Sequence, residues 1–169
     1  MKPAVAIVGR LNVGKSTLFN RLTHSRAALV ADFPGLTRDR QYGDGHIGPV
    51  AFLAIDTGGF DPNTDQSLQR AINEQTETAI AESDVLLFVV DVRTGLTAQD
   101  QNIAEVLRAS GRRLVLVANK AEGLDPDAAA EFHELGLGPP CLISASHGIG
   151  LVDLMQTALS GFADEPTAG

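Results

Sequence analysis

An unbroken apolar run, Ala4-Val5-Ala6-Ile7-Val8, stops at Gly9. A short apolar stretch ended by a turn residue predicts a strand over 4–8 that is buried on both faces. Leu18 and Leu22 share one face of a predicted helix over 15–23, whereas residues 24–40 hold no sustained period and read as a loop. Strands over 41–47 and 50–56 flank Gly48-Pro49, a turn signal, and predict an antiparallel hairpin. After a loop from Thr57, Leu68, Ile72, Ala79 and Ile80 trace the apolar face of a helix near 65–82. Val85-Leu86-Leu87-Phe88-Val89-Val90 is a second continuous apolar run and a second buried strand. Thr97, with Asp100 three residues on, predicts an N-cap; Ile103, Val106 and Leu107 continue that helix to a stop at Gly111. A buried strand over 114–118 follows, then a helix from Asp125-Pro126 to Gly136, a short strand over 141–143, and a last helix whose face is Leu151, Leu154, Met155 and Ala158.

Strands that alternate with helices predict an α/β fold: a mostly parallel six-stranded sheet with right-handed crossovers, one antiparallel edge hairpin, and helices on both faces. Composition agrees, with 44% hydrophobic but only 5% aromatic residues in 169. Residues 1–162 read as one domain and 163–169 as a polar, flexible tail resembling the start of a linker. The net charge of −8 argues against direct RNA or other nonspecific nucleic-acid binding, which needs Lys and Arg for phosphates. A lone Cys141 allows no internal disulfide and reads as a buried structural thiol. No membrane-length apolar run and no room for a signal peptide before the first strand lead to an expected cytoplasmic location.

The first strand runs into Gly9-Arg10-Leu11-Asn12-Val13-Gly14-Lys15-Ser16, followed by Thr17. This fits the phosphate-loop pattern G-x-x-x-x-G-K-S/T, in which backbone N–H groups and a helix N-terminus cradle an anion. Lys15 then reaches the β- and γ-phosphates, and Ser16 holds Mg²⁺. The other reading is a glycine-rich turn beside a surface lysine, against which the strand–loop–helix context weighs.

The other chemistry-bearing segments fall at predicted strand ends, where an open parallel sheet binds its ligand. Asp56-Thr57-Gly58-Gly59, followed by Phe60, ends 50–56; by itself a common turn, behind a phosphate loop it places an Asp to hold water on Mg²⁺ and the Gly59 N–H near a γ-phosphate. Asn119-Lys120-Ala121-Glu122 ends 114–118. A carboxylate at Glu122 accepts two parallel hydrogen bonds, matching guanine N1–H and N2–H₂ but nothing on adenine. The Lys120 stem can cover the base and Asn119 can tie loops together. Ser144-Ala145-Ser146-His147-Gly148 follows 141–143 and offers backbone N–H groups to guanine O6. Thr37, in Asp32-Phe33-Pro34-Gly35-Leu36-Thr37-Arg38-Asp39, is either a loop threonine or a hydroxyl that closes over Mg²⁺ when a γ-phosphate is present. Arg38 and Arg40 either reach the phosphates or are solvated.

With these five segments in this order, the chain resembles a small GTPase domain of the translation-factor-related class. More closely it resembles the first GTPase domain of the Der (EngA) family, bacterial ribosome-assembly GTPases with two GTPase domains in tandem. The resemblance covers the chain to about residue 162. It implies a P-loop G domain that hydrolyses GTP to GDP with Mg²⁺, with the ribosomal large subunit as partner of the full-length protein. Lys15, Thr37 and Gly59 are then catalytic. Asn12 is then also catalytic and a K⁺ ligand, the cation standing in for an arginine finger, unless it only braces the loop. Leu11 stands where the family usually has Pro, and Glu122 where its guanine motif has Asp. Phe60 occupies the position of the water-orienting Gln of many GTPases; Gln66, Gln69 and Gln75 lie further on. The family's second GTPase domain and KH-like domain have no counterpart in the chain, which reads as an excised piece. Two readings stay open: a slow GTPase, or a guanine-nucleotide-responsive binding module with negligible hydrolysis of its own. A P-loop kinase would need an arginine-rich lid, and the guanine motif argues against it.

Overall fold

The computed structural model describes residues 3–10, 12–23, 41–47, 50–57, 76–160 and 162. In chain order these form β1 (Ala4–Val8), α1 (Lys15–Thr23), β2 (Gln41–Ile47), β3 (Val50–Asp56), α2 (76–82), β4 (Val85–Asp91), α3 (Ala98–Ser110), β5 (Arg113–Asn119), a 3₁₀ helix (Pro126–Leu135), β6 (Cys141–Leu142) and α4 (Leu151–Ala158). The sheet has six strands in the order β2-β3-β1-β4-β5-β6. Only β2 and β3 are antiparallel; every other pair is parallel. The expected edge hairpin is present, although its Gly48-Pro49 turn lies outside the described residues. So do the first part of the 65–82 helix and the 163–169 tail.

Two apolar layers explain the continuous hydrophobic runs. Val5, Ile7, Leu87, Val89 and Val117 pack against Leu18, Phe19 and Leu22 of α1 and Leu154 and Met155 of α4. The alternate positions Ala6, Val8, Leu86, Phe88, Val90 and Leu116 pack against Ile103 and Leu107 of α3 and Phe132 of the 3₁₀ helix. Successive strand residues face opposite sides, so a strand covered on both sides has no polar phase. All seven residues of β4 are accordingly buried.

Local signals set the element ends. Thr97 accepts from the Asp100 N–H while the Asp100 carboxylate accepts from the Thr97 N–H, a reciprocal cap that starts α3, and Gly111 ends it in the left-handed region. Asp125 caps the segment that begins at Pro126, and Gly136 closes it. Its hydrogen bonding is 3₁₀ rather than α. Strand β6 is shorter than expected: Ile143 is buried beyond its end. Cys141 is half-buried rather than buried, and burial followed by Asp153 pushes its thiol up, away from the reactive thiolate. No helix among the described residues is long and apolar enough to cross a membrane.

Topology positions the site. Strand β1 lies between β3 and β4, with Ile7 opposite Asp56 and Val8 opposite Phe88. The chain leaves β1 at Gly9, between β3 and β4, at the carboxyl edge where open α/β sheets bind their ligands.

On edge strand β2, the inward positions are Gly43 and Gly45. The Phe52 ring lies over Gly45, and a Cβ there would also come within 2.9 Å of Leu22 O on α1. Gly45→Ala is therefore expected to cost about 1–3 kcal/mol by overpacking, measured by urea unfolding. His46→Ala, exposed on the same strand, should stay within about 0.5 kcal/mol.

Candidate nucleotide-binding site

The phosphate-loop pattern forms a turn from β1 into α1, and both positive φ and close approach account for its glycines. A Cβ on Gly9 would sit 2.6 Å from Val89 O; one on Gly14, at φ 100°, would strike Asn119 Nδ2. Lys15 is buried at the start of α1, and its Nζ donates to Gly9 O and Arg10 O, each at 2.9 Å. Burial pushes this ammonium down from 10.5 to about 8; Asp56 opposes the shift and Arg10 adds to it. Ser16 Oγ donates to Asp56 Oδ2 at 3.2 Å, uniting the phosphate loop with the end of β3. A hydroxyl and a carboxylate side by side are hard oxygen donors, the set that suits Mg²⁺. Thr57 has its hydroxyl committed to Ile7 O at 2.8 Å, and Thr17 is exposed on α1.

Asn119 joins three segments. Its Nδ2 donates to Val13 O and its Oδ1 accepts from the Ala145 N–H, both at 2.9 Å. Lys120, at φ 68°, donates through Nζ to Asn12 O at 3.1 Å and pairs with Asp91 Oδ2 at 2.9 Å. Asn12 itself adopts φ 66° and is exposed. The Glu122 carboxylate lies between Arg93, whose Nη2 is 3.5 Å from Oε2, and His147, whose Nδ1 is 3.9 Å from Oε1. Its Oε1 is shielded from solvent, and the nearby Ser144 hydroxyl, more than Arg93 or His147, holds the carboxyl below its ordinary pKa and so keeps it an acceptor. The Ser144 and Ser146 hydroxyls both bond His147 Nδ1, at 2.9 and 3.0 Å.

Leu11, Thr37, Gly58, Gly59 and Phe60 lie outside the described residues, as do Arg38, Arg40, Gln66, Gln69 and Gln75. The remaining expected site residues gather at the carboxyl edge of the sheet. Four others join them that the motifs do not name. Asp91 ends β4, accepts from the Arg93 and Thr94 N–H groups at 2.9 and 3.1 Å, and anchors Lys120. Arg93 Nε donates to Lys120 O at 2.9 Å and its Nη2 to Glu122 O at 2.5 Å. Arg21 of α1 donates to Ala145 O and Ser146 O at 2.9 and 2.6 Å, holding the 144–148 loop. Asp100 pairs with Arg10 at 3.6 Å, linking the phosphate loop to the cap of α3. Two of these carry a sequence signal: Asp91 closes an apolar run, and Asp100 belongs to the Thr97 cap pattern, which gives no hint of its pairing with Arg10.

Residues 4–120 match the family of 50S ribosome-binding GTPases. The chain belongs to this family. GTPase Der of Methylibium petroleiphilum is 56% identical over 168 residues, 98% of this chain and 38% of that protein. The chain thus spans less than two fifths of the length of such curated relatives. Among solved structures, an Era variant from Aquifex aeolicus bound to GDP·AlF₄⁻ superposes with a TM-score of 0.75 at 30% identity, over 94% of this chain and 56% of that one. Era in complex with MgGDPNP and a 16S ribosomal RNA segment gives 0.72 at 30% identity, over 94% of this chain and 56% of that one. The six-stranded sheet expected from the strand pattern and the P-loop G-domain fold that the resemblance implies are both observed.

Two outcomes follow from this geometry without any ligand. Asn119→Ala strands Val13 O and the Ala145 N–H, so ligand-free unfolding should lose about 2–4 kcal/mol. Lys15 stays protonated up to about 10.5 when unfolded but only to about 8 when folded. The unfolded chain therefore binds more protons between these values, and stability rises with pH across that window. The stability difference between wild type and Lys15→Met should grow in favour of wild type from about pH 8 to about pH 10.5. A flat difference would contradict the burial of a charged lysine.

Proposed function

We propose that this chain is a guanine-nucleotide switch domain that binds GTP and GDP and hydrolyses GTP slowly. The observation that carries the reading is the Asn119 bridge, which ties the phosphate loop to the 144–148 loop, whose His147 lies 3.9 Å from the Glu122 carboxylate. Glu122 accepts guanine N1–H and N2–H₂, the Lys120 stem covers the base, and the backbone N–H at Ser146 faces O6, whereas those of Ser144 and Ala145 are committed to Ile149 O and Asn119 Oδ1. The phosphate loop, residues Gly9 to Thr17, takes the phosphates. Lys15 exchanges its two carbonyl acceptors for β- and γ-phosphate oxygens, which favour its charged form.

Ser16 and Asp56, the latter through water, would hold Mg²⁺, with Thr37 completing the set. The ion supplies charge neutralisation at the β,γ-oxygens. The chain's own contribution is positioning and electrostatic: Lys15 stabilises charge at the transferring phosphoryl group, and the Gly59 N–H frames the attacking water. Phe60 cannot orient that water. Asn12 supplies the alternative by holding K⁺ beside the phosphates; its exposed side chain on a loop braced through its own carbonyl supports this role. As a member of the 50S ribosome-binding GTPase family with the likeness to Der proteins, the protein acts in assembly of the large ribosomal subunit.

The test is GTP turnover with Mg²⁺ in KCl against NaCl at equal ionic strength, with Asn12→Ala beside wild type. Faster turnover in KCl that Asn12→Ala abolishes is the expected result. Equal, barely detectable rates in both salts would sink the K⁺ role and leave a nucleotide-responsive binding module.

A further inference from the structure

The turn after β4 belongs to none of the nucleotide motifs, yet it grips both charged residues of the base-reading segment. Asp91 takes Lys120 in a 2.9 Å ion pair, and Arg93 takes the segment's backbone and its carboxylate. The Arg93 guanidinium presents a rigid fork. Nε donates to Lys120 O at 2.9 Å, Nη2 donates to Glu122 O at 2.5 Å, and the same Nη2 lies 3.5 Å from Glu122 Oε2. The Arg93 N–H is itself fixed by Asp91 Oδ1 at 2.9 Å. Lys120 sits in the left-handed region at φ 68°, a conformation that costs energy in a lysine and persists where its surroundings impose it. The two Arg93 bonds to carbonyls 120 and 122 are such an imposition.

A glutamate needs this more than a shorter carboxylate would. Its extra rotatable bond lets the carboxylate swing, and an acceptor must be held in place to discriminate between bases. The groups facing the Glu122 carboxylate are the Ser144 hydroxyl, Arg93 on the Oε2 side and His147 on the Oε1 side. His147 is more than half exposed and bonds two hydroxyls through the same nitrogen. The Ser144 hydroxyl is shared with His147 Nδ1, whereas Arg93, 47% exposed, holds both the carboxylate and the segment's own carbonyls, so it is the partner that fixes the carboxylate relative to its backbone.

We infer that Arg93 is a positioning residue for base specificity, holding the Glu122 carboxylate in register with the paired donors of guanine. The inference rests on the proposed guanine reading. An Arg that only stabilised the fold would change affinity for every nucleotide alike. An Arg that aims the carboxylate changes the preference for a base with both donors over one lacking the 2-amino group.

The experiment is calorimetric binding of GDP, IDP and ADP to the 169-residue chain, to Arg93→Ala and to Arg93→Lys. Thermal unfolding of each variant is measured alongside. In wild type, GDP should bind about tenfold or more tighter than IDP, the usual effect of one hydrogen bond to a charged acceptor, and ADP should bind weakest. Arg93→Ala should shrink the GDP-over-IDP ratio at least fivefold, mainly through weaker GDP binding. Arg93→Lys, which keeps the charge without the fork, should restore the ratio only in part. If Arg93→Ala does not fold, a diminished ratio in Arg93→Lys carries the test. A ratio unchanged in the variants, with all affinities lowered together, would overturn the inference and leave the guanine reading standing. A wild type that binds ADP as tightly as GDP would overturn the guanine reading itself.

Discussion

One buried side-chain amide sets the geometry of the whole carboxyl edge. Asn119 ends β5, is 3% exposed, and spends its donor on Val13 O and its acceptor on the Ala145 N–H. Both partners are backbone groups in irregular loops, where no sheet ladder or helix supplies a mate, and a buried unmated group is costly. The spacing of the phosphate loop from the 144–148 loop is thereby tied to one side chain on a rigid strand. Gly14 belongs to the same constraint, because any Cβ there would collide with the amide.

Around that bridge, long cationic side chains do for the loops what ladders do for the strands. Lys15 holds carbonyls 9 and 10, Lys120 holds carbonyl 12, Arg93 holds 120 and 122, and Arg21 holds 145 and 146. The chain as a whole is acidic, at −8, yet its loop edge is organised by donors with positive charge. Carbonyls are weaker acceptors than phosphate oxygens. Under the proposed function, Lys15 is held near its working position by partners it can exchange. The cost is a buried ammonium whose charged form is destabilised.

The helices share in this. Arg21 sits in the last turn of α1 and reaches Ala145 O, so the helix that begins at the phosphate loop also braces the 144–148 loop. Asp100 caps α3 and pairs with Arg10, which ties the opposite layer to the phosphate loop. Both connections run through elements whose apolar faces are locked in the two core layers, and that rigidity turns side-chain reach into fixed loop positions.

The sequence by itself determined whatever depends on near neighbours along the chain. The bounds of α1, β2 and β3, the Thr97–Asp100 cap, the stops at Gly111 and Gly136, and the α4 face Leu151, Leu154, Met155 and Ala158 were all legible, because capping and periodicity act over a few residues. The motif residues at strand ends were legible too, since a parallel sheet delivers every carboxyl end to one edge. The tertiary structure alone decided which of them touch. Asn119 meets Val13 across 106 positions, Arg21 meets Ala145 across 124, and Arg93 grips a loop 27 positions on. Nothing in the residues around Arg21 or Arg93 points to the loop each one holds. Their roles arise only when strand order brings distant loops together, and a single sequence carries no local signal for that pairing.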